Sequence, residues 1–186
     1  MAKLPFKFKL GLTIAMLPSD ATIADYYCKG IETALLLPDQ ARAWADSVIA
    51  NADVPLYAFI EISLSKGLPE MISSLRDFPG ERDQRGIGRW LLAILQQVDV
   101  QSTTDLAAAV RKAMLVCRHC GLSDQIYYEF DSIDDSLYLA LHGQYGTVDE
   151  CRTEFLACLQ RHCCPFPCEA QPIIPPDLAH EAAQGR

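Results

Sequence analysis

From Ile23 to His162 the chain runs as a near-continuous succession of apolar stripes spaced three to four residues apart. A segment with that period has one sticky face and one wet face, so each must bury its stripe against another. The chain is therefore bound to fold as packed helices.

Ser19 and Asp20 can cap a first helix bearing Ile23, Tyr27, Ile31, Ala34 and Leu35, and Pro38 suits the first turn of a second. The second stripe is Ala41, Trp44, Ala45, Val48 and Ile49, with Asp39, Arg42, Asp46 and Asn51 outside it. After Asp53-Val54-Pro55 comes a short third stripe of Leu56, Ile60 and Leu64. A fourth follows Lys66-Gly67 with Leu68, Met71, Ile72, Leu75 and Phe78, and Pro79-Gly80 ends it. Ile87, Trp90, Leu91, Ile94, Leu95 and Val98 give the clearest helical pattern, which places this fifth segment at the centre of the fold. Ser102 to Asp105 cap a sixth, with Leu106, Val110, Met114 and Cys117 inward and Gly121 closing it. Asp131-Ser132 can cap a seventh with Ile133, Leu137 and Leu141, and Thr147 an eighth with Val148, Cys151, Phe155, Cys158 and Leu159. Between the sixth and seventh, Ile126 to Phe130 is β-prone and can pair with the N-terminal arm.

In that arm Phe6, Phe8, Leu10, Leu12 and Ile14 alternate with Lys7, Lys9, Gly11 and Thr13, the period of a half-buried strand. Lys3, Lys7 and Lys9 ahead of Leu10 to Leu17, with Ala21 and Ala24 after, also give it the look of a secretory signal. A strand or extended arm over residues 1–18 is the preferred reading. No apolar run is long enough to span a bilayer. The expected fold is mainly α, with seven or eight short antiparallel helices in an irregular bundle or stacked hairpins over residues 1–164. The Pro-rich tail, 165–186, is expected to be extended, partly disordered and outside the core.

A net charge of -8 argues against partners that need a basic surface, such as nucleic acid or anionic membrane, and favours a basic protein. Glu129, Asp131, Asp134 and Asp135, interleaved with Tyr127, Tyr128, Phe130 and Tyr138, form the densest acidic and aromatic stretch. They can anchor and steer a basic protein, or they can be helix-start carboxylates beside core aromatics. Arg82, Arg85 and Arg89, interleaved with Glu81 and Asp83, read as a solvated face.

The eight cysteines allow a zinc site built from Cys117, Cys120, Cys163, Cys164 and Cys168, with His119 and His162 nearby. Their spacing matches no known finger, and Cys117, Cys151 and Cys158 lie on apolar stripes as small buried hydrophobes do. Reduced thiols without a cofactor are the preferred reading and a zinc-stabilised or thiol-redox protein the alternative, while disulfides require an oxidising compartment. No phosphate loop, serine elbow or metalloprotease helix pair is present, and Gly86-Ile87-Gly88 lacks the third glycine of a dinucleotide loop. A pair such as Cys28 and His142 has the residue types of a nucleophile and base, but no motif supports it. A non-enzymatic role is expected.

Lys29-Gly30-Ile31-Glu32 through Leu35-Leu36-Leu37-Pro38, then Ala41-Arg42-Ala43-Trp44-Ala45-Asp46 and Phe59-Ile60-Glu61-Ile62-Ser63-Leu64-Ser65, carry a resemblance. The chain resembles the small acidic helical immunity proteins of bacterial polymorphic-toxin systems. That resemblance implies a cytoplasmic inhibitor that occludes a toxin domain and does no chemistry. On this reading Tyr128, Glu129, Asp131, Asp134 and Asp135 are the candidate contact residues.

Overall fold

The computed structural model describes residues 18–167, which form eight α-helices and no strand. They are α1 (Asp20–Glu32), α2 (Pro38–Asn51), α3 (Tyr57–Leu64), α4 (Leu68–Arg76), α5 (Gln84–Leu95), α6 (Thr103–His119), α7 (Asp124–Leu141) and α8 (Val148–His162). The N-terminal strand or arm lies outside the described residues, as does the tail beyond Pro167. No described helix is long and apolar enough to cross a membrane.

Local chemistry sets most of the helix starts. Ser19 Oγ accepts from the Thr22 N–H at 3.2 Å, Ser102 Oγ from that of Asp105 at 3.1 Å, and Asp83 from that of Gly86 at 3.0 Å. At α8 the Thr147 hydroxyl accepts from the Glu150 N–H while Glu150 accepts from the Thr147 N–H, a reciprocal capping box. Gly121 takes φ +60° just past α6, letting the Leu122 N–H reach back to the Cys117 carbonyl at 3.0 Å. Gly30 answers a packing demand instead. The Leu36 side chain folds so closely over it that a Cβ there would lie 2.3 Å from Leu36 Cδ1.

Sequential neighbours pack within two groups, α1–α4 and α5–α8, and the contact of α1 with α5 joins the groups. The first is organised by four aromatic rings. Trp44 on α2 stacks on Tyr27 at 5.4 Å and meets Phe59 at 5.2 Å and Phe78 at 6.0 Å. In the second, Phe130 of α7 meets Phe155 of α8 edge-on at 6.0 Å, and Leu91, Leu95 and Leu106 are fully buried.

Four expectations require correction. The stripe on α3 is wrong: Phe59 and Ile62 are buried, while Leu56 and Leu64 face solvent. This eight-residue helix is apolar nearly all round, so its period leaves two faces equally eligible and the Phe59 ring, seated on Trp44, decides. Ile126 to Phe130 is helical and Asp131-Ser132 lies inside the helix instead of capping it, because α7 begins at Asp124 after Ser123 and Phe130 must face the core. Ala34, Leu68, Val98 and Leu141, assigned to core stripes, are exposed at or beyond helix ends. Finally, the start of the tail belongs to the core: the Phe166 ring sits 4.6 Å from Tyr26 and 4.9 Å from Trp90.

Glu32 ties three helices together. Its carboxylate accepts from Arg76 Nη2 of α4 at 2.6 Å, lies 3.4 Å from His119 Nδ1 of α6, and pairs with Lys29 of its own helix at 3.5 Å. Partial burial pushes the carboxyl's pKa up, but hydrogen bonding from Arg76, the Lys29 charge and the His119 contact outweigh it, leaving a net depression below 4.5. A depressed folded value means that stability is present above about pH 4.5 and is lost as pH falls through the folded value. Glu32→Gln should therefore cost roughly 1–3 kcal/mol in urea unfolding at neutral pH. That difference should shrink in acid.

Candidate functional site

Helical spacing divides the acidic and aromatic stretch among three directions. Tyr128, Asp131 and Asp135 stand at i, i+3 and i+7 of α7, and Asp124 and Tyr138 extend the same face by about one turn at each end. Tyr128 and Tyr138 are 64% and 60% exposed. Asp135 is exposed and makes no hydrogen bond or ion pair among the described residues. Asp131 accepts weakly from Tyr127 Oη at 3.4 Å; that hydroxyl also accepts from Arg118, whose guanidinium lies 4.6 Å over the Tyr127 ring.

The other two predicted carboxylates leave this face. Asp134 turns toward α6, where Arg111 Nε lies 3.7 Å away. Glu129 turns toward α8, and its Oε2 receives Arg161 Nη2 at 2.9 Å, His162 Nε2 at 2.9 Å and Cys158 Sγ at 3.5 Å. The hydrogen bonds from Arg161 and His162 hold the Glu129 pKa down at about 2. A shallow groove of about 520 Å³ runs beside this cluster, lined by Tyr128, Glu129, Ser132, Glu154 and Arg161.

Among the described residues, Cys117, Cys120, Cys163 and Cys164 form no group of three converging ligands. Cys117 and Cys120 are buried at the C-terminal end of α6, where burial pushes both thiols up to about 12. Cys163 follows α8 half-buried, Cys164 is exposed with its N–H on the Arg89 carbonyl, and Cys168 lies outside the described residues. All seven described cysteines are free thiols. The one group of three ligand side chains that converges among the described residues is Glu129, Cys158 and His162, with ligand atoms within 4.8 Å of one another. Sequence reading missed it. Cys158 and His162 at i and i+4 were a visible signal, but Glu129 enters only through the packing of α7 on α8.

The nucleophile and base pair fails on geometry. Cys28 is fully buried, its thiol raised to about 11 by burial, with Sγ directed at the Ile72 carbonyl. His142 is exposed at the far end of α7, with Nδ1 2.7 Å from the Tyr138 carbonyl oxygen. Compared with family models, curated proteins and solved structures, the chain finds no match in any of the three.

Proposed function

We propose that this protein is a non-catalytic protein-binding module, of the immunity type, that neutralises a basic bacterial toxin domain in the cytoplasm by occluding it. The observation that carries the reading is the solvent-facing stripe on α7, where exposed Tyr128 and Tyr138 flank Asp131 and Asp135. Exposed rings supply contact area at low entropic cost, and carboxylates between them attract a basic surface and orient it. The overall charge of -8 adds long-range attraction of the same sign. Glu129 and Asp134 belong to the packing of α7 and are not contacts in this reading.

The first test is co-expression with the product of the adjacent upstream gene: specific rescue of growth and a stable complex on size exclusion support the reading, whereas a harmless neighbour removes it. With the complex in hand, Asp131→Asn/Asp135→Asn should slow association about 10-fold and flatten its salt dependence while leaving thermal stability unchanged. Association that is equally fast and equally salt-sensitive in the variant would reject this face.

A further inference from the structure

Glu129, Cys158 and His162 present an oxygen, a sulfur and an imidazole nitrogen to one point at the edge of the core. From the zinc–ligand bond lengths, the ligand atoms of a tetrahedral zinc site lie roughly 3.3–3.6 Å apart. Here Glu129 Oε2 lies 2.9 Å from His162 Nε2 and 3.5 Å from Cys158 Sγ, and Sγ and Nε2 are within 4.8 Å of each other, so side-chain shifts of about an ångström bring the cluster to that arrangement. Cys158 and His162 stand one turn apart on α8, which fixes their relative direction. Cys158 is fully buried while the Glu129 and His162 side chains keep 28% and 19% exposure, so the cluster has a dry back and an open front. The groove reaches the cluster on its Glu129 and Arg161 side.

We propose that Glu129, Cys158 and His162 bind a zinc-class divalent cation. The site is distinct from the cysteine set that the sequence suggests and does not rest on the partner-binding reading of α7. On binding, Cys158 gives its thiol proton to solvent and becomes a thiolate, His162 exchanges its Nε2 proton through solvent for one on Nδ1 so that Nε2 donates the freed lone pair, and the Glu129 carboxylate exchanges its bonds with Arg161 and His162 for the metal. Two ligand charges then match the ion. Arg161 is the competing group, and its side chain is 54% exposed, so it can swing away without breaking the core.

The test is titration of the reduced full chain, without a histidine tag, with cobalt(II) and then with zinc. One equivalent should produce the thiolate charge-transfer band and the intense visible bands of a tetrahedral centre, and zinc should abolish both. Cys158→Ser should remove the charge-transfer band. His162→Gln and Glu129→Gln should each weaken binding by more than about 100-fold, beyond what loss of an outer-shell partner causes. Cys163→Ser/Cys164→Ser should change neither band. If Cys158→Ser loses its helical circular dichroism, the partly exposed His162→Gln carries the test alone. Absence of a thiolate band at stoichiometric cobalt, or its persistence in Cys158→Ser or His162→Gln, overturns the assignment.

Discussion

Trp44→Ala should cost about 3–5 kcal/mol of folding free energy, the largest loss expected from any single truncation in the first helix group. A domain of this kind holds roughly 5–15 kcal/mol in all, so the variant should be partly or wholly unfolded near body temperature. Three rings from three other segments converge on the indole: Tyr27 of α1, Phe59 of α3 and Phe78 after α4. Its flanking residues on α2, Ala41 and Ala45, are small and fully buried, so nothing on that helix can lean over to fill the void. The cavity term then adds to the lost transfer energy. Urea unfolding followed by circular dichroism gives the magnitude. Tyr57→Ala, which removes an exposed ring from the adjoining helix, should stay within about 0.5 kcal/mol of the parent. A loss at Trp44 no larger than that would mean that the four-ring cluster does not organise the group.

The features legible in advance were those decided locally. The Ser19, Ser102 and Thr147 caps, the proline start of α2 and the glycine end of α6 each depend on a few adjacent residues. Ile87, Trp90, Leu91 and Leu95 gave a true core stripe, because α5 is long enough for one period to dominate. The losses came where a distant partner decides. On α3 two stripes were equally apolar, and only the position of Trp44 selects Phe59. Ile126 and Tyr127 have strand propensity, yet neighbouring helices impose a helix on them. The tail looked too rich in proline to pack, but Phe166 finds the gap between Tyr26 and Trp90.

The same division governs the site. The acidic and aromatic stretch was visible as a composition, and spacing alone puts Tyr128, Asp131 and Asp135 on one face. The destinations of Glu129 and Asp134 were not visible, because each is set by an arginine on another helix, Arg161 and Arg111. The cysteines misled for a related reason. Clustering in sequence at 163, 164 and 168 suggested convergence, but side chains converge where helices cross, and α8 crosses α7 at Cys158.

Phe130→Ala is expected to cost a similar 3–5 kcal/mol, and its consequences should fall on a different part of the molecule. Phe130 has no exposed surface and lies between Tyr128 and Asp131 in sequence, so it is the buried residue that holds the proposed contact face against α8. Truncating it leaves a void opposite Phe155, and hydrogen exchange should accelerate first in α7 and α8. Partner affinity should then fall together with stability, through loss of the ordered face. Asp131→Asn/Asp135→Asn should separate the two quantities, slowing association at unchanged stability. The milder pair Trp44→Phe and Phe130→Leu tests the division into two helix groups. The two rings belong to groups joined through α1 and α5 and share no aromatic neighbour, so their losses should add within about 0.5 kcal/mol. A larger coupling would mean that the α1 to α5 contact transmits core strain between the groups, in which case a change at the ring cluster around Trp44 could alter the binding face on α7 without touching it.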